Sequence, residues 1–202
     1  MIDRRPSAMA FFDAQNLFHR AKDAFGHPSP NFDPLKLHSA LCLAMGWSAG
    51  QVRYYTGLPD RNVRPDARSE WERRLLNLSR RGVQCTTRPL RHSIEPNGEI
   101  LSREKGIDVR IALDLVATAR LGLWDVAVIF SEDQDLAEAV EDVRQISREQ
   151  ERLLEVWCAY PEHPDRQGYR KIKGTKAFVM KEAFYNACLD PLDYRPKHLR
   201  GT

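Results

Sequence analysis

The sequence predicts an α/β fold built on a mostly parallel sheet of about five strands. Three observations carry that expectation. Segments rich in β-branched and aromatic residues alternate with segments of helical periodicity, the pattern of parallel strands joined by right-handed crossovers. The run Val126-Ala127-Val128-Ile129-Phe130 is apolar without interruption, as strands covered on both faces are. Two apolar runs end in carboxylates, Phe11-Phe12-Asp13 and Phe130-Ser131-Glu132-Asp133. Open α/β sheets bind ligands in the crevice beyond the carboxyl ends of their strands, so acid placed there reads as functional.

Residues 9–12 form a short buried strand ending at Asp13, and residues 17–25 a helix closed by the breakers Gly26-His27-Pro28-Ser29-Pro30. Asp33-Pro34 is an N-cap followed by a first-turn proline, so a helix runs over 35–45 and stops at Gly46. Residues 52–56 alternate and are β-rich, and 59–65 is a polar loop. Residues 66–81 have helical spacing through Trp71, Leu75 and Leu78 and end at Gly82, ahead of a strand over 83–89. Between 90 and 104 the chain is polar, and Glu95-Pro96-Asn97-Gly98 is a turn signal of the hairpin or loop kind. Apolar periodicity (Val109, Ala112, Leu113, Val116) makes 108–120 a helix, stopped by Gly122 before a strand over 124–130. A helix over 135–150, a strand over 153–160, a loop over 161–174 and a last helix over 176–189 complete the order. The tail 190–202 is expected to lie extended on the surface, and the chain reads as one domain over 1–202 with its core at about 8–189.

At 202 residues the chain can bury a substantial core, and 42% hydrophobic with 29% charged residues is the balance of a soluble globular protein. No apolar run approaches the roughly 20 residues needed to span a bilayer. Met1-Ile2-Asp3-Arg4-Arg5-Pro6 lacks the apolar centre of a secretory signal, so the expected location is cytoplasmic. The cysteines (Cys42, Cys85, Cys158, Cys188) form no Cys-x-x-Cys pair, and three sit among apolar neighbours, which fits reduced, buried thiols rather than zinc ligands. A net charge of +3 is too small to diagnose a nucleic-acid binder. Its distribution says more: Arg61, Arg64, Arg68, Arg73, Arg74, Arg80, Arg81, Arg88 and Arg91 crowd one third of the chain. Arginine suits phosphate binding and base stacking, while a solvated helix face interleaved with Glu is the competing reading of 68–81.

Besides the two strand-end acids, Lys105-Gly106-Ile107-Asp108 opens a helix. Carboxylates gathered at a sheet edge repel one another unless a cation neutralises them, and hard oxygen donors suit Mg2+ or Mn2+. A metal-dependent phosphodiester enzyme is therefore the first hypothesis. Two other chemistries fail on particular residues. A haloacid-dehalogenase-type phosphatase needs Asp-x-Asp at the first strand, but the second position is Gln15. A dinucleotide binder needs a glycine-rich turn there, and Ala14-Gln15-Asn16 has none.

The ordered set strand-Asp13-x-x-Asn16-Leu17, then Lys105-Gly106-x-Asp108, then strand-Ser131-x-Asp133-x-Asp135 resembles the NYN domain family. It looks most like the LabA-like (DUF88) branch of that division of the PIN-like nuclease superfamily. The resemblance covers roughly residues 8–184. It implies a PIN-like three-layer α/β/α sandwich with an acidic pocket for one or two divalent metals, and endoribonuclease activity on single-stranded RNA. Many relatives read Ser-Gly-Asp-x-Asp-Phe-x-Pro, whereas this chain has Glu132, Leu136 and Glu138. Glu cannot adopt every conformation open to Gly, so the loop's approach to a phosphate is altered, and Glu132 could add a carboxylate to the rim. A catalytically weak RNA-binding or regulatory module on the same fold is the alternative function.

On this reading Asp13, Asp108 and Asp133 hold Mg2+ or Mn2+, and Asp135 serves a second metal or the outer shell. Asn16 orients Asp13 or a water, and Ser131 bonds a phosphate or fixes the loop. Each acid has a plainer role open to it as a helix cap or dipole partner. Asp114, six residues after Asp108 and about 120° around the helix, is expected to face elsewhere. Lys105, Arg170, Lys171 and Lys173 are the expected substrate contacts, with Arg88, Arg91 and Arg103 as further candidates and Tyr169 as a stacking face. A homodimer is possible.

Overall fold

The first strand, β1 (Ser7–Asp13), is buried along all but its first residue. Strand side chains alternate between faces, so Ala8, Ala10 and Phe12 enter one hydrophobic layer while Met9 and Phe11 enter the other. The computed structural model describes residues 4–27, 31–94, 100–103, 105–163 and 171–199. After β1 come α1 (Ala14–Phe25), α2 (Pro34–Met45), β2 (Ser48–Leu58), α3 (Pro65–Arg80) and β3 (Gln84–Pro89). β4 (Arg91–Ile94), β5 (Ile100–Arg103), α4 (Ile107–Arg120) and β6 (Val126–Phe130) follow, then α5 (Ala137–Glu149), β7 (Glu155–Pro161), β8 (Lys176–Met180) and α6 (Glu182–Asn186).

The main sheet has six strands in the order β3-β2-β1-β6-β7-β8, and every pairing in it is parallel. One layer packs Leu17, Ala21, Leu37, Leu41, Leu75 and Leu78 of α1, α2 and α3 against it. The opposite layer packs Ile111, Leu115, Ala139 and Val143 of α4 and α5. This is the three-layer α/β/α sandwich with a mostly parallel sheet. From β1 the chain works outward through β2 and β3, then returns to place β6 on the other side of β1. The strand order therefore reverses between β1 and β6, which is where such sheets open a crevice at their carboxyl ends.

Phe12 and Phe130 lie opposite each other in the β1–β6 register, with stacked rings 4.0 Å apart. Truncating either would remove one of the largest buried side chains at this seam, at a cost of about 3–5 kcal/mol. Gly50 serves the neighbouring seam. A Cβ there would meet the Ala8 carbonyl oxygen at 2.7 Å, next to the register shift between Ala8 and Ala10.

The structure departs from the expected elements at several points. Residues 176–180 are not the start of the last helix but the edge strand β8, pairing Trp157 with Lys176 and Tyr160 with Val179. The β-favouring Phe178 and Val179 and a partner edge on β7 outweigh the helix-forming Lys and Ala beside them. Only α6 remains of that helix. The sheet thus has one strand more than the five expected. Residues 91–94 and 100–103 pair antiparallel as a separate two-stranded ribbon, while the turn signal at 95–98 lies outside the described residues. The tail crosses α3, where Arg73 Nε donates to the Tyr194 carbonyl at 2.9 Å and Tyr194 Oη to Asn77 Oδ1 at 3.3 Å.

Candidate active site

The seam of β1 and β6 delivers Asp13 and Ser131 side by side, each one residue beyond the stacked phenylalanines. Asp13 is 6% exposed. Its Oδ1 accepts from the Asn16 backbone N–H at 3.1 Å, capping α1, and its Oδ2 accepts from Ser131 Oγ at 3.3 Å. Asp13 therefore fills its plainer role as a cap and still lines the pocket, because a carboxylate has more acceptor sites than two bonds use. Ser131 Oγ in turn accepts from the Asp133 N–H at 3.2 Å, and the Cys158 thiol donates to the Ser131 carbonyl at 2.9 Å. Asp133 caps the short 3-10 turn Gln134–Leu136 by accepting from the Asp135 N–H at 3.1 Å.

The third carboxylate arrives on α4. Gly106 takes φ 78°, a conformation glycine adopts without strain, and turns the chain into the helix with Lys105 outside and Asp108 in the first turn. No side chain caps this helix end, so Asp108 is not the N-cap; the helix N-terminus favours its charge. Asp13, Asp108, Asp133, Lys105, Gly106 and Ile107 line one pocket of about 300 Å³. The carboxyl of Asp13 is raised to about 6, chiefly by burial and further by the charges of Asp133 and Asp108, against the bonds from Asn16 and Ser131.

The remaining sequence-predicted residues divide. Asp135 is exposed and lines an adjoining groove with Asp108 instead of the acidic pocket. Asn16 turns its side-chain oxygen to the Glu132 N–H at 3.1 Å, so its backbone, not its amide, meets Asp13. Gln134 ties the exposed Lys171 and Lys173 to the site loop: its Nε2 donates to the Lys171 carbonyl and its Oε1 accepts from the Lys173 N–H, both at 3.2 Å. Tyr169 and Arg170 lie outside the described residues. Arg91 and Arg103 sit opposite each other in the β4–β5 ribbon, and Arg88 is exposed on β3. Asp114 faces elsewhere, as its helical angle predicts. It is buried, accepting from Tyr55 Oη at 2.8 Å and pairing with Arg53 at 3.1 Å and Arg110 at 2.7 Å.

Glu132, expected to add a carboxylate to the rim, adds none to the pocket. Its Oε2 lies 2.9 Å from Arg20 Nε, and its side chain is 8% exposed. Sequence reasoning missed Arg20, although it stands one helical turn after Asn16 and so shares that residue's face. Nothing in the sequence marked Gln134.

The family model described as the NYN domain matches residues 7–155. A solved Vibrio parahaemolyticus protein of unknown function shares the fold with TM-score 0.56 at 17% identity, over 90% of this chain and 96% of that one. No curated protein matches the chain. Among the described residues no helix is long and apolar enough to cross a membrane.

Proposed function

The chain belongs to the NYN domain family, and from that footing we propose that it is a cytoplasmic, divalent-metal-dependent endoribonuclease hydrolysing phosphodiester bonds of single-stranded RNA. The family is a division of the PIN-like nuclease superfamily. The observation that carries the reading is the meeting of Asp13, Asp108 and Asp133, from three separate elements, on one pocket with Lys105 at the switch point of the sheet.

The donors fit Mg2+ or Mn2+, since all three are hard carboxylate oxygens. Among the described residues no three His, Cys, Asp or Glu side chains are grouped closely enough to hold an ion by themselves. A cation that keeps several waters and takes one or two carboxylates directly suits such a pocket, with Asp13, Asp108 and Asp133 as its holders. When bound, such an ion lowers the pKa of a coordinated water and neutralises charge on the phosphate oxygens. The Ser131 hydroxyl and the Asn16 backbone N–H fix the direction of both Asp13 oxygens. Lys105 opposes the phosphate charge, and Lys171 and Lys173, held to the site loop through Gln134, extend the track for the strand. The chemistry needs one copy of the chain, and a homodimer is compatible with it.

The test is cleavage of an end-labelled, unstructured RNA with Mg2+, Mn2+ or EDTA. Cleavage is expected only with metal and at least about a hundredfold slower in Asp133→Asn, whose melting without metal is expected to match that of the parent chain. RNA binding without cleavage under every metal would instead support a catalytically weak RNA-binding or regulatory module, the reading that Glu132 in place of Gly favours. Neither binding nor cleavage would sink both.

A further inference from the structure

Asp108 belongs to two surfaces. It lines the acidic pocket, and it stands at the head of a groove of about 590 Å³ between α4 and α5. The groove is walled by Val109, Ala112, Leu113, Val116, Ala117 and Ala139. On its other side α4 already buries Ile107, Ile111, Leu115 and Ala119 against the sheet. The outward stripe is apolar as well, with Val109 57% and Leu113 59% exposed. A helix covered on one face only is expected to be polar on the other, and contiguous exposed apolar surface marks an interaction site.

The rim decides what fits. Asp108, Asp135, Glu138 and Asp142 border the groove, against the single cation Arg120. Among the described residues none of the four is ion-paired. Such a rim repels RNA phosphates, and two copies of the chain laid on each other here would oppose carboxylate to carboxylate. We propose that this groove docks a basic amphipathic helix of another protein. Its apolar side lies on Val109, Leu113 and Val116, and its lysines or arginines face Asp135, Glu138 and Asp142. From Val109 to Arg120 the groove runs about 16 Å along α4, the length of three helical turns. Because Asp108 is common to both surfaces, a seated helix narrows entry to the acidic pocket. That last clause rests on the nuclease reading, whereas the docking does not.

The probe is a fluorescein-labelled synthetic peptide of about three helical turns with leucine at helical spacing and lysine elsewhere, titrated against the full chain by anisotropy. A glutamate version is the control. Saturable binding of the lysine peptide is expected, with affinity down about tenfold or more for Val109→Ser/Leu113→Ser and again for Glu138→Lys/Asp142→Lys. Both variants change exposed or rim positions, and unaltered melting confirms their folding. Equal binding by either variant, equal binding of the glutamate peptide, or no binding of the lysine peptide overturns the proposal. So does a dimer in sedimentation velocity that Val109→Ser/Leu113→Ser dissolves, which would make a second copy the occupant. Peptide binding with no RNA cleavage in any metal would leave the docking standing and remove only the nuclease reading.

Discussion

The side-chain oxygen of Asn16 accepts a hydrogen bond from the backbone N–H of Glu132 at 3.1 Å, clipping the first turn of α1 to the loop that carries Asp133. The bond joins the two elements whose strands meet at the reversal of sheet order, so it holds two of the three pocket carboxylates in register. Asn16→Ala is expected to cost about 1 kcal/mol in stability. Its effect on turnover should be larger, from about tenfold to a hundredfold, because a small displacement of positioned groups weighs heavily on rate. Chemical denaturation and single-turnover cleavage measured on the same preparation check this. A rate loss no greater than the stability loss explains would reduce the clip to a structural bond.

Glu132 and Arg20 should behave as a pair. Arg20→Met leaves a carboxylate that is 8% exposed without its guanidinium, and is expected to destabilise the fold by about 1–3 kcal/mol. The double variant Arg20→Met/Glu132→Gln should recover most of that loss, as removal of both charges lifts the desolvation penalty. Melting of the single and double variants gives the coupling. Additive losses would show that the two side chains act independently.

Asp13 and His38 pull stability in opposite directions with pH. The Asp13 carboxyl is raised from 3.8 to about 6, first by burial. The folded state therefore keeps a proton that the unfolded chain has released, and stability falls as pH rises from about 3.8 to about 6. Burial lowers His38 from 6.5 to about 4, while its Nε2 donates to the Ala8 carbonyl at 3.1 Å. Its contribution is full above 6.5 and is lost as pH falls towards 4. The two slopes oppose each other across the window they share. Asp13→Asn, which keeps a capping oxygen for α1, should gain about 1–3 kcal/mol at pH 7 and nothing below the unfolded Asp pKa, in metal-free buffer. It should also expose the His38 slope, with melting temperature climbing from about pH 4 to 6.5. A flat profile in that variant would contradict the His38 assignment, and no gain at pH 7 would contradict that of Asp13.

Asp114 answers to three partners at once, Tyr55, Arg53 and Arg110. Asp114→Ala should cost about 3–5 kcal/mol, since it strands donors and positive charge around a buried position. Metal affinity of the protein that remains folded should be unchanged, measured by titration calorimetry below the melting transition. A variant of native stability that loses metal would place Asp114 in the acidic site instead.

The sequence by itself determined that this chain would make a parallel α/β sheet and that acid would stand at its carboxyl edge. The unbroken run of β6 and the alternating helices leave few other ways to bury that much apolar surface. Asp13, Asp108 and Asp133 were legible because strand ends and helix starts are local signals. Which strands adjoin was not local. Only the tertiary structure set β6 beside β1, stacked Phe12 on Phe130, and so brought Ser131 to Asp13. It also turned residues 176–180 into an edge strand, because the exposed hydrogen-bonding groups of β7 were there to be paired. The partners of Glu132 and Asp114 were settled in the same way. An ion pair depends on distance in space, and Arg20 and Glu132 stand 2.9 Å apart only after α1 and the loop beyond β6 have packed together.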